Sequence, residues 1–461
     1  MHNPYYAAAV DLQLHGPAGR EAAERVLRRA WTCDEDGSWR ALLAGLQAPR
    51  PAGLEPTVDA TARFQLLVAL HRGLARSASC VALPAVQLQA EVLRPLLLLL
   101  HGAAEAVAAR RLCLCLACVT VRTFPAAGLS VLEGCASALT GGDGGAGPLL
   151  EYLAAVAEEL PSRKNYIRPA DRENARRAFC RWDPLVGCIA WGAQRVGGEA
   201  GAATLLRGLA AWLEISAEGD FCLRVVQAPE VFGPPLFRCL HQPALREAAA
   251  EVLCAAFKSA GAPFLEGRHD FLLEERLLGP FRAALSSLPL DGQEQCLTAA
   301  MMLGELLKLL LVSNAGAAKP EIGGHDLVAW VLANLVQLSQ VASARHFVEV
   351  VLALVDAWEL FLSFAEKSPE LVAAHGRTLE LFFEAMRHAV RLSPAAMASA
   401  TADARDLPDV STRGRAGRGG ELTKSDEDRE AEAPGNRRAD QAAVPAVRLG
   451  GGFGTAVFRA G

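Results

Sequence analysis

The sequence lacks the local signatures on which catalysis is usually built. It has no Gly-x-Ser-x-Gly elbow, no phosphate-binding P-loop and no His-Glu-x-x-His pair, and no paired-carboxylate signature stands out. The 10 histidines are scattered. His346 and His388 sit beside apolar stripes, as packing or surface residues do. Nothing therefore argues for an enzyme, and no cofactor is expected. Positive charge is also scarce. The formal net charge is -5, whereas a nucleic-acid binder usually carries a basic face. No direct nucleic-acid partner is expected, and a basic protein partner fits better. Residues Met1 to Val10 lack the basic start and apolar core of a secretory leader. No membrane span is expected. Leu96 to Leu100 is far too short to span a bilayer, and Arg110, Arg111 and Arg122 bracket Leu112 to Val121, so no membrane contact is expected.

Two apparent motifs lack their second halves. Cys115 and Cys118 have the spacing of a zinc pair, but no nearby Cys/His pair completes a structural site. They read as packing residues beside Cys113. Most of the 12 cysteines lie in apolar runs and are expected to be reduced and buried, in a cytosolic or nuclear protein. Gly142, Gly144 and Gly147 match the spacing of a dinucleotide-binding loop. That loop works only between a strand and a helix; here a helix precedes it and no βαβ unit follows. The segment Gly141 to Gly147 reads as a linker.

What the sequence has in abundance is helical periodicity. The chain is 51% hydrophobic and 6% aromatic, with Ala, Leu and Val supplying most of the apolar share, as helix-on-helix packing favours. From Ser343 to Glu366, the residues Phe347, Val351, Leu354, Trp358, Phe361 and Ala365 recur at steps of four and three, while Glu349 and Asp356 lie off that stripe. The next helix starts near Ser368-Pro369-Glu370 and repeats the pattern with Val372, Leu379, Phe382, Met386 and Val390. Leu245, Ala249, Val252 and Ala256 form another stripe, then a Gly261 to Pro263 break, then a helix from about Asp270 to Leu285. Gln293 to Leu311 pairs with Asp326 to Leu338, and Ala202 to Ile215 with a segment near Pro229 to Leu240. Leu88 to Leu100 reads as a helix kinked at Pro95, followed by Ala103 to Thr120. The pattern gives roughly seventeen or eighteen helices, one pair per roughly 40–47 residues, the period of HEAT and armadillo arrays.

The chain changes character near Pro394. Large apolar residues almost vanish until Val444, and residues 393–461 are expected to be a disordered tail. Arg413, Arg415 and Arg418 lie there among glycines like an RNA-binding segment, but the acidic run Asp426 to Glu432 would repel phosphate. The dense basic cluster elsewhere is Arg163, Lys164, Arg168, Arg172, Arg176 and Arg177. It is either a solvated loop and helix start or a contact for an acidic patch on a protein partner.

Several segments together resemble the importin-beta superfamily of nuclear transport receptors. They are Ala7 to Leu27 with Ser38 to Leu43, Phe64 to Leu70, Leu149 to Pro161 with the Arg-rich stretch after it, Leu206 to Trp212, and Glu247 to Ala256. The later ones are similar to the transportin-SR and importin-thirteen branch, and their order agrees with it. The resemblance covers about residues 5 to 392. It implies an all-α, HEAT/armadillo-like right-handed solenoid with importin-beta-like N-terminal repeats over residues 1–80 and a HEAT-repeat region over 81–392. It also implies that the N-terminal repeats bind the GTP form of the GTPase Ran, that the concave face takes cargo such as serine/arginine-rich proteins, and that the protein meets nucleoporins while shuttling between nucleus and cytoplasm. Receptors of that family carry more repeats than this chain holds. The change at Pro394 is expected to mark a truncated gene model or a splice product.

Overall fold

In the computed structural model, residues 3–32, 38–141, 145–162, 167–216, 220–265, 274–316, 324–366 and 369–390 are described. Contacts along the chain divide it into Met1–Leu392 and Ser393–Gly461. The described residues belong to the first unit, so the expected tail lies outside them. They form helices and connecting turns, with no strand among them. The chain is an all-α protein over these residues.

The helices are α1 (Pro4–Leu14), α2 (Pro17–Thr32), α3 (Ser38–Gln47), α4 (Pro56–Arg76), α5 (Ala78–Val81), α6 (Ala85–Leu88), α7 (Arg94–His101), α8 (Ala106–Ala127), α9 (Ser130–Thr140), α10 (Ala146–Glu159) and α11 (Pro169–Arg181). There follow α12 (Pro184–Arg195), α13 (Gly198–Ile215), α14 (Asp220–Val226), α15 (Pro234–Cys239), α16 (Pro243–Leu265), α17 (Gly279–Ser287), α18 (Gln293–Gly316), α19 (Gly324–Arg345), α20 (Val348–Ala365) and α21 (Pro369–Val390). Proline opens many of them, a position where its missing N–H costs nothing and its fixed φ suits the helix. Asn3 adds a side-chain cap, accepting bonds from the Tyr5 and Tyr6 amides.

Seven helices form an inner row, in which α4, α8, α10, α13, α16, α18 and α20 each pack on the next. The remaining helices cover this row. For example, α12 lies on α10 and α13, α14 and α15 lie on α16, and α19 lies on α18. Neighbours on both sides and a covering layer leave inner helices little free surface. In α10, Leu149, Leu150 and the run Tyr152 to Ala157 are buried. Small residues let the row close up: a Cβ placed on Gly208 of α13 would lie 3.0 Å from the Ala154 Cβ of α10. Buried hydroxyls are paired across the row, Thr120 with Tyr152 at 2.8 Å and Ser216 with Ser259 at 2.9 Å. This satisfies groups that would otherwise be costly to bury.

Several sequence expectations change in detail. The helix expected over Ser343 to Glu366 starts later, at Val348, because α19, expected to end near Leu338, runs on to Arg345. The break is His346, at φ 56°, with the Phe347 amide bonded back to the Ala342 carbonyl. This is a left-handed helix cap made without glycine. The expected break at Gly261 to Pro263 is absent, since α16 continues to Leu265 and these residues fall in its final turns. The expected helix near Pro229 to Leu240 is only the short α15, entered through Gly233-Pro234-Pro235 and preceded by α14. Pro95 stands at the start of α7, after a π-turn over Gln89–Leu93 in which the Arg94 amide reaches the Gln89 carbonyl. The helix expected from Ala103 to Thr120 spans Ala106–Ala127 and holds Pro125 in its last turn. The glycine-rich linker is shorter than expected, because α10 begins at Ala146.

Against the expectation of no membrane-spanning segment, two helices pass the test of length and apolarity. Gln293–Val312 in α18 and Leu327–Arg345 in α19 are long and apolar enough to cross a membrane. In the fold, 61% and 56% of their respective windows are buried against other helices. Central helices of a packed array need such all-round apolarity.

Candidate interaction face

Charged side chains line the part of the inner row left open by the covering helices. Glu151 and Glu158 stand on α10, one heptad apart, between Arg110 of α8 and Arg207 of α13. The Arg207 Nη2 donates to both Glu151 carboxylate oxygens at 2.7 Å, and its Nε lies 3.1 Å from Glu158 Oε1. Arg110 approaches both carboxylates at 3.6 Å. Thr204 adds a 3.5 Å contact to Glu151. Two arginines and two glutamates thus bridge three successive helices and neutralise one another. Further on, Lys258 of α16 approaches Glu305 of α18 at 3.8 Å.

Between these two ladders the balance changes. Glu214 at the end of α13 and Glu247 and Glu251 of α16 are all exposed. Burial and the charges of Glu247 and Glu251's other neighbour, Glu214, push the Glu251 carboxyl above its usual range. The charges of Glu247 and Glu214 act on Glu251, which places the three carboxylates in one region. The result is a local excess of negative charge where α13 meets α16. Sequence reading did not identify this group, because Glu214 lies far along the chain from the other two. Only the Glu247–Glu251 spacing of four was visible.

At the N-terminal end, α1, α2 and α4 enclose a polar cleft of about 530 Å³ lined by Gln13, Gln65, Arg20, Arg28 and Arg72. Glu24 partly balances it, 3.7 Å from Arg28.

The basic cluster read from the sequence lies at the start of α11. Arg163 and Lys164 fall outside the described residues. Arg168 is the exposed residue before the helix. Arg172 is half-buried, and its Nε has no hydrogen-bond partner among the described residues. Arg176 holds Glu173 with two bonds and donates to the Ile215 carbonyl at 2.7 Å, tying α11 to the end of α13. Arg177 also reaches Glu173, at 2.9 Å. The Arg176 bonds, with both arginine charges, hold the Glu173 carboxyl down to about 2. Part of the cluster is thus engaged within the fold, and Arg168 and Arg177 remain its most exposed members.

Cys115 and Cys118 are both fully buried in α8, where burial pushes their thiols above the usual range. Thiols in such surroundings are poor nucleophiles and poor metal ligands. No group of three or more His, Cys, Asp or Glu residues placed to hold a metal occurs among the described residues. No protein-family model matches the chain, and no curated protein matches it.

Proposed function

We propose that the chain is a protein-binding receptor, its helices stacked as a right-handed HEAT/armadillo-like solenoid, and that it carries basic proteins between cytoplasm and nucleus. The observation that supports this reading best is the acidic group Glu214, Glu247 and Glu251, set on a continuous row of helices. An uncompensated carboxylate group attracts a basic segment and speeds its encounter. A stacked row offers a long face for such a segment. In this reading the cargo is rich in serine and arginine, Ran in its GTP form binds the first repeats, and nucleoporins are met in passage. The protein acts by binding rather than catalysis.

The test is a titration of the full chain with an arginine/serine repeat peptide, and separately with GTP-loaded and GDP-loaded Ran. The reading expects the peptide to bind, GTP-loaded Ran to bind in preference to the GDP form, and the GTP form to displace the peptide through coupling between the two sites. Equal binding of both nucleotide forms would leave a helical-repeat scaffold without a transport role. That alternative draws its support from the Arg110–Glu151–Arg207–Glu158 ladder, which resists changes in the spacing of its helices.

A further inference from the structure

The last inner helix, α20, has an unusual free side. Its buried residues include Val350, Leu354, Ala357, Trp358 and Phe361. Ala357 meets Gly304 of α18, 3.7 Å from where a glycine Cβ would stand. Trp358 stacks on Phe382 of α21 at 4.0 Å. At about 100° per residue, Val348, Leu352 and Val355 point away from the α18 contact. They are 67%, 61% and 36% exposed. Every earlier helix of the row packs on a next helix. Here three branched apolar side chains at steps of four and three stand where that helix would pack. The stripe is continuous with the interior, since Val351 and Leu362 beside it are only half-exposed.

The charges on α20 itself are of one sign. Glu349, Asp356 and Glu359 are exposed on α20, and the helix holds no lysine or arginine. A second copy of the chain would place the same carboxylates opposite themselves, which is unfavourable. We propose that this side of α20 is a docking surface for an amphipathic helix of a partner protein, with an apolar stripe flanked by lysine or arginine. The helix would extend the inner row by one layer. It would place its apolar residues on Val348, Leu352 and Val355 and its cations beside Glu349, Asp356 and Glu359. This mode is helix-on-helix recognition through anchors at helical spacing. It rests on α20 alone and does not depend on the transport reading.

The experiment titrates the full chain, by fluorescence anisotropy, with three designed peptides of about 18 residues. One carries a leucine stripe flanked by lysine and arginine. One carries the same stripe flanked by glutamate. One keeps the basic residues with the stripe scrambled. Only the first is expected to bind well. Leu352→Glu should weaken it by at least about tenfold, as loss of a central apolar anchor does. Asp356→Lys should weaken it less, and added salt should shrink that second effect. Both residues are exposed, so both variants should keep the parental circular dichroism spectrum. Equal binding of all three peptides, or unchanged binding to the Leu352→Glu variant, would overturn the proposal. So would a dimer of the unmodified chain that light scattering shows to be lost in that variant, because the occupant would then be a second copy.

Discussion

The inner row carries charge in two different ways. From α8 to α13, Arg110, Glu151, Glu158 and Arg207 face one another across helix boundaries and close their charges within the fold. From α13 to α16, Glu214, Glu247 and Glu251 gather with no ion pair among the described residues, and burial, then the charges of Glu247 and Glu214, raise the Glu251 carboxyl. Both regions stand on the same kind of buried helix. Their different charge arrangements separate two tasks. Partly buried paired charges fix how neighbouring helices sit, and removing one partner strands the other. Exposed like charges cost a little stability and are kept where an opposite charge can arrive.

The comparison requires that both regions rest on one core. Trp212 of α13 tests this most severely. It is 0% exposed and packs against Phe221 with ring centroids 6.1 Å apart. Trp212→Ala should lower stability by about 3–5 kcal/mol, the usual cost of emptying an aromatic site in a core. Denaturant unfolding checks it. A loss below about 1 kcal/mol, against the same expectation, would show that α13 does not carry the row between α10 and α16.

Glu151→Gln should come next. Glu151 is 14% exposed and takes both Arg207 bonds. The amide keeps the shape but removes the charge that Arg110 and Arg207 share. The expected loss is about 1–3 kcal/mol, the range for breaking a hydrogen bond to a charged group. Thermal unfolding at low and high salt measures it. A neutral result at both would mean that the ladder is no more cohesive than an ordinary surface ion pair.

How much of this was legible beforehand depended on whether the signal was local. Helical periodicity is local, so the all-helical class and stripes such as Leu245, Ala249, Val252 and Ala256 could be read directly; all four are buried. Helix ends were harder. His346 ends α19 in a left-handed conformation that glycine usually supplies, so the boundary between α19 and α20 was read several residues too early. Gly261 and Pro263 look like a break but lie within α16. The charged face was the least legible part. Glu151 meets Arg207 from 56 positions away along the chain. Arg176 and Arg177 read as a free basic cluster, while Glu173, three and four residues before them, takes their bonds. That spacing is visible in the sequence, and weighing it would have reduced the cluster.

The smallest expected effect has the opposite sign, which makes it the sharpest test of the contrast. Glu247 and Glu251 lie four residues apart on α16, where like charges destabilise a helix by about 0.2–0.5 kcal/mol. Burial first, and then the charges of Glu247 and Glu214, raise the folded Glu251 carboxyl from its ordinary value of 4.5. A carboxyl raised by folding binds its proton more tightly in the folded state. Its repulsion is therefore absent at pH below the unfolded value and reaches full strength once pH passes the folded value. Glu251→Gln should thus raise stability at neutral pH by a few tenths of a kcal/mol, about the size of the repulsion removed. The gain should fade as pH drops toward 4.5. Unfolding curves of the parent and the variant across that range measure the difference. The same variant should bind an arginine-rich peptide more weakly at neutral pH, because the charge whose removal stabilises the free protein is one the peptide would use. A variant that is destabilised at neutral pH, or that binds the peptide as before, would place Glu251 with Glu151 among the charges that hold the fold.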